Sequence, residues 1–85
     1  MAAPPQPPIT AALDLRGTPC PLNFIRARLT LEGLVAGQWL QLDLDAGEAE
    51  HAVVEGLAQS GHAIQRGDHP EAPAAVRLLV QRHAG

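Results

Sequence analysis

The 85-residue chain has no lysine and no tyrosine, a single cysteine, and only two aromatic residues, Phe24 and Trp39. Each absence excludes something. All six cationic side chains are arginine, they are scattered along the chain, and the formal net charge is −3. Nucleic-acid platforms need clustered positive charge and stacking aromatics, so no direct nucleic-acid partner is expected. Without lysine there is no Schiff-base chemistry, and no glycine-rich phosphate loop is present, so no cofactor is expected. One cysteine can form neither an internal disulfide nor a C-x-x-C dithiol, which suits a reducing, cytoplasmic setting. No apolar run is long enough to span a bilayer, so no membrane association is expected.

What remains is a chain 46% hydrophobic and mostly aliphatic, enough for one small domain and expected to be a monomer. Half of its eight prolines fall in the first eight residues, which carry no charged side chain. Residues 1–12 therefore read as a disordered, partly polyproline-like tail, and residues 13–83 as the domain. Removal of residues 2–11 is expected to leave folding intact.

Periodicity places the elements. Leu13 and Leu15 alternate around Asp14 as a short strand ended by Gly17-Thr18-Pro19. After Cys20, Pro21 suits the first helical position, where its fixed φ is favourable and its missing N–H costs nothing. Phe24, Ala27, Leu31 and Leu34 then form an inward stripe, with Gly37 as the stop. Leu40, Leu42 and Leu44 alternate as the buried side of a strand, which leaves Trp39 toward the open face of the sheet. Asp45 and Glu48 have capping-box spacing, predicting a second helix with Ala49, Val53 and Leu57 inward and Gly61 as its end. Strands follow over residues 62–66 and 76–82. The order β-α-β-α-β-β predicts an α+β fold: a two-layer α/β sandwich, a four-stranded mixed sheet with both helices on one face.

The chemistry concentrates at Cys20. At a helix start, free N–H groups and the positive end of the dipole stabilise an anion, and a thiol there favours the reactive thiolate. Pro21, Leu22 and Asn23 would form this supporting anion site. The competing reading is a buried cysteine that acts only as a small hydrophobe. Arg16 and Arg28 are candidates to steady an anionic sulfur or dock an acidic partner, and Thr18 offers a hydroxyl nearby. Asp45 stands between two roles, a contact near the sulfur and a cap of the second helix. His51, His62, His69 and His83 read as solvated surface residues. They show no metal-ligand spacing, so no metal is expected, and nothing marks one as a partner of Cys20.

The string Asp14-Leu15-Arg16-Gly17-Thr18-Pro19-Cys20-Pro21-Leu22-Asn23 resembles the signature of the TusA/SirA-like sulfur-carrier family, roughly D-x-x-G-x-x-C-P-x-P. Asp14, Gly17, Cys20 and Pro21 fall on that pattern, and the resemblance extends over about residues 13–82. It implies a sulfur carrier, or sulfurtransferase, that accepts sulfur as a persulfide on Cys20. The donor protein would be a cysteine desulfurase or a rhodanese-like protein, and the recipient an acceptor sulfur-relay protein. End uses implied are tRNA thiolation, cofactor sulfuration or sulfur metabolism. Asn23 replaces the second proline of the pattern, restoring a backbone donor near the sulfur and adding an amide. That departure keeps a second reading open, a non-catalytic regulatory or protein-binding module of the same fold.

Overall fold

The structure, a computed structural model, describes residues 7–83. Its elements are β1 (Ile9–Asp14), α1 (Leu22–Glu32), β2 (Trp39–Asp45), α2 (Glu48–Gln59), β3 (Ala63–Asp68) and β4 (Ala75–Gln81). β1 and β2 pair in parallel, and β4 runs antiparallel to both β2 and β3 in the spatial order β1-β2-β4-β3. The helices pack against one face of this mixed sheet and against each other. Leu40, Leu42 and Leu44 of β2, Val76, Leu78 and Val80 of β4, Ala27 and Leu31 of α1, and Val53 and Leu57 of α2 make the core. The architecture is the expected one.

Several boundaries differ, and β3 runs to Asp68, two residues past its expected end. β1 begins at Ile9, so Ile9–Ala12, read above as tail, are strand residues paired along Trp39–Gln41 of β2. Their alternation is weak because small alanines fill it, yet Ala11 and Leu13 both pack on the core. Removal of residues 2–11 would therefore cut the strand. The first six residues of the expected tail lie outside the described residues.

α1 ends at Glu32 with Gly33 as its C-cap, four residues before the expected stop at Gly37. The N–H groups of Gly33 and Leu34 bond back three residues, to the carbonyls of Thr30 and Leu31, closing the helix tightly. Gly37 (φ +89°) instead turns the chain toward β2 and donates its N–H to the Arg82 carbonyl at 2.9 Å. α2 is capped by Gly47 with no side-chain hydrogen bond, so Asp45 does not form the expected capping box. Glu48 and Glu50 in the first turn meet the positive end of the helix dipole instead.

Candidate functional site

β1 and β2 are parallel, so their carboxyl ends lie at the same end of the sheet, with Asp14 level with Asp43 and Asp45 two residues beyond. The chain leaving β1 must turn there to enter α1, and Cys20 sits in that turn. Leu15 is buried and donates its N–H to the Asp43 carbonyl at 2.9 Å, anchoring the near end. The Thr18 N–H bonds the Leu15 carbonyl at 3.0 Å, around a Gly17 whose φ of +78° disfavours any side chain. Two carboxylates brace the turn from outside. Asp45 Oδ2 accepts the Gly17 N–H at 2.8 Å. Asp14 accepts from the Arg16 N–H, Nε and Nη2 at 3.1, 2.9 and 2.7 Å. The Arg16 guanidinium holds the Asp14 carboxyl well below the usual carboxylate range, and Asp14 in turn pushes Arg16 up.

Cys20 is an exposed free cysteine, two residues ahead of the first helical residue. Pro21 occupies the N-cap rather than the first helical position, because the turn carries the chain one residue further before helical dihedrals begin. The first-turn amides are less available than expected. The Asn23 N–H donates to the Pro19 carbonyl at 3.1 Å, and the Phe24 N–H to Asn23 Oδ1 at 2.7 Å. Among the described residues, the Leu22 N–H is left without a hydrogen bond. The Asn23 side chain does not reach toward solvent and the sulfur. It is fully buried on the inward side of α1, with Nδ2 unpartnered. Helical periodicity explains this: Asn23, Ala27 and Leu31 share one face.

Of the other candidates, Arg16 and Thr18 lie in the Cys20 turn, and Asp45 braces it from the end of β2 through the Gly17 N–H. Arg28 does neither. It lies further along α1 and pairs with Glu32 at 3.5 Å, both side chains more than half exposed.

Sequence reasoning missed an ionic group on the open sheet face, next to this turn. Asp43 and Arg77 are directly opposite in the β2–β4 register, and Arg77 Nε and Nη2 donate to Asp43 Oδ1 and Oδ2 at 2.8 and 3.1 Å. His69 is not solvated: its ring is only 6% exposed, with Nε2 3.5 Å from Asp43 Oδ2. His69 Nδ1 accepts the Glu71 and Ala72 N–H groups, which places the ring proton on Nε2, toward the carboxylate. Strand alternation puts Asp43 and Arg77 outward, but only the register makes them partners. Glu50 is likewise buried and bound by Arg66 through Nε and Nη2, which holds its carboxyl below its ordinary value. His62 is half-buried beside His83, whose N–H donates to His62 Nδ1 at 3.2 Å. Among the described residues, no three His, Cys, Asp or Glu side chains converge as a metal site, and no helix is long and apolar enough to cross a membrane.

The arrangement offers one exposed thiol on a braced turn at a helix head, open to a second macromolecule. The family profile described as "Sulfurtransferase TusA" matches residues 11–82. A "Putative sulfur carrier protein" of Archaeoglobus fulgidus is 36% identical over 52 residues, 61% of this chain but only 59% of that protein's length. The "Putative sulfur carrier protein TsuB" of Escherichia coli is 34% identical over 74 residues, covering 82% of this chain and 92% of that protein. In fold, the crystal structure of a SirA-like protein from Desulfitobacterium hafniense is similar, with a TM-score of 0.75 at 17% identity over 87% of this chain and 99% of the other.

Proposed function

We propose that this chain, which belongs to the TusA sulfurtransferase family, carries sulfur as a persulfide on Cys20. The observation that supports this most directly is the exposed thiol at the tip of a turn pinned by Asp14–Arg16 and Asp45–Gly17. The Cys20 thiolate attacks the terminal sulfur of a donor protein's persulfide. The donor's S–S bond breaks, its cysteine leaves as a thiolate, and a new Sγ–S bond forms on Cys20. An acceptor thiolate then attacks that outer sulfur, and Cys20 leaves as a thiolate. Each step transfers one sulfane sulfur, and no external oxidant or reductant is consumed. The unpartnered Leu22 N–H is the backbone donor left at the start of α1 for an anionic outer sulfur.

The donor in this reading is a cysteine desulfurase or a rhodanese-like protein, and the acceptor is another member of a sulfur relay. The setting is cytoplasmic, and the product serves tRNA thiolation, cofactor sulfuration or sulfur metabolism. Incubation with a cysteine desulfurase and cysteine, or with a rhodanese and thiosulfate, should add one sulfur atom by intact-protein mass spectrometry. Reductant should remove it, and Cys20→Ser should never acquire it. A folded wild-type protein that gains no sulfur from either donor or from sodium tetrasulfide would refute the reading. A regulatory module without turnover is the second reading. The occupied Asn23 and Phe24 amides favour it, and this experiment separates the two.

A further inference from the structure

Positive charge gathers at one place in a chain that is negative overall. An open hollow of about 460 Å³ is lined by Arg28 and Glu32 of α1, Ser60 at the end of α2, His62 before β3, and Arg82 and His83 after β4. The formal net charge is −3, yet two of the six arginines and two of the four histidines meet here with one of the nine acidic side chains. Arg28 Nε stands 3.5 Å from Glu32, both side chains are more than half exposed, and the pair is loose. Arg82 donates Nη1 to the Leu34 carbonyl at 2.8 Å, but among the described residues it pairs with no carboxylate. His62 Nδ1 accepts the His83 N–H at 3.2 Å, which leaves the ring proton on Nε2. Burial pushes the His62 imidazole down, and the charges of His83 and Arg82 push it the same way.

We infer that this hollow is a binding site for a small oxyanion of the sulfate or phosphate type, held by the Arg28 and Arg82 guanidinium groups with His62. The carrier chemistry at Cys20 makes no use of it, so the inference goes beyond the persulfide reading. The planar fork of arginine matches two oxygens of a tetrahedral oxyanion, and Arg82 lacks the carboxylate that would otherwise fill that place. Small-molecule sites occupy about 300–1,000 Å³, so the hollow has room for the body of an ester as well as for the ion. The carboxyl ends of α1 and α2 lie here and oppose an anion, so the affinity is modest, about millimolar. Protonated His62 meets Arg28 from α1 and Arg82 and His83 from the end of β4 as opposing charges, and Glu32 as the single favourable one. Helix α2 adds no charge, only the Ser60 hydroxyl, which donates to the Gly56 carbonyl. A bound anion supplies the missing negative charge. Binding and protonation of His62 therefore favour each other.

The test titrates the full chain with sodium sulfate, an ion whose charge is constant between about pH 6 and pH 8, where histidine changes its own. Backbone amide and histidine ring signals are followed by NMR, with sodium chloride at matched ionic strength as the control. Shifts should saturate at millimolar sulfate and stay confined to the residues that line the hollow. Arg28→Gln should weaken binding about fivefold, the worth of one charge at close range in water, and Glu32→Gln should tighten it by a similar factor. Both positions are exposed, and circular dichroism checks that both variants fold. Wild type should bind sulfate about threefold or more tightly at the lower pH, a gain that His62→Gln should lose. Inorganic phosphate and glycerol 3-phosphate, compared at one pH, distinguish the sources of the ion. Equal affinity marks the free ion as the ligand, and tighter binding of the ester marks a phosphorylated metabolite.

Equal shifts with chloride would overturn the proposal, because ionic strength alone would then account for them. So would folded Arg28→Gln and Glu32→Gln variants that bind sulfate as wild type does, since the ion would then sit elsewhere. Affinity that does not change with pH would remove His62 from the site. A glutamate-rich peptide that binds here while sulfate and phosphate do not would also overturn it, because the hollow would then receive an acidic protein segment.

Discussion

Replacing Gly56 by alanine sets two opposing effects against each other at the contact between α1 and α2. In an ordinary helix interior, glycine to alanine is stabilising by roughly 0.5–1 kcal/mol, because the unfolded chain loses freedom. Here a Cβ on residue 56 would stand 2.5 Å from Phe24 Cε2 and 3.0 Å from Cδ2 and Cζ. Carbon atoms in contact sit about 3.5–4.0 Å apart, so the ring must retreat by about 1 Å. Phe24 is packed against the core, and overpacking of this kind costs about 1–3 kcal/mol. The clash should therefore win, leaving a net loss of about 1 kcal/mol and a fall in Tm of about 4–8 °C for a domain of this size. The decisive assay is thermal or urea unfolding of a double-mutant cycle. With Phe24→Ala in the background the obstacle is gone, and Gly56→Ala should become stabilising by about 0.5–1 kcal/mol. A higher Tm for Gly56→Ala with Phe24 intact, or the same loss without Phe24, would refute the reasoning.

The brace on the Cys20 turn can be tested apart from sulfur chemistry. Asp45→Ala removes the acceptor of the Gly17 N–H, so exchange of that amide should accelerate while the core amides keep their protection; unchanged Gly17 exchange would contradict the assignment. Stability should also fall on acidification in two stages. Burial, with Arg82 and His83 nearby, pushes the His62 imidazole down, so the unfolded chain binds more protons and stability drops as pH falls through about 6.5. Arg66 holds the Glu50 carboxyl down, and the stability this contributes is present above about pH 4.5 and lost below it. Urea midpoints measured across both ranges should show the first stage vanish in His62→Gln and the second in Glu50→Gln. Deleting residues 2–11 should lower Tm markedly, because Ile9–Ala11 belong to β1; an unchanged Tm would show that the paired strand there contributes nothing.

The role of the Asp14–Arg16 pair also becomes clearer in the structure. Both side chains are largely exposed, and exposed ion pairs add little to stability. Their value lies in shape. Three donors of one residue converge on one carboxylate, which fixes the direction in which the chain leaves β1 and hence where Cys20 is presented. Arginine, with its planar fork, can do this where a lysine could not.

The local pattern of the chain was enough for the order of the elements, the inward leucines of β2, the inward Ala27 and Leu31 of α1, and the position of Cys20 at a helix head. Those features depend on periods of two and 3.6 residues and on Gly and Pro punctuation, all of which act over a few positions. The start of β1 was less legible, since alanines carry little alternation and the neighbouring strand decides where pairing begins. Asp45 looked like a helix cap because its partner, Gly17, is 28 residues away. Asp43 and Arg77 are 34 residues apart and meet only through the β2–β4 register, which then seals His69 against them. Asn23 was read by its distance along the chain from Cys20, but the rotation of α1 on the sheet turned it inward. The same rotation left Leu22, Ile25 and Leu29 outside. A sequence sets which faces of a helix are apolar; only packing against the other elements determines which of them the fold covers.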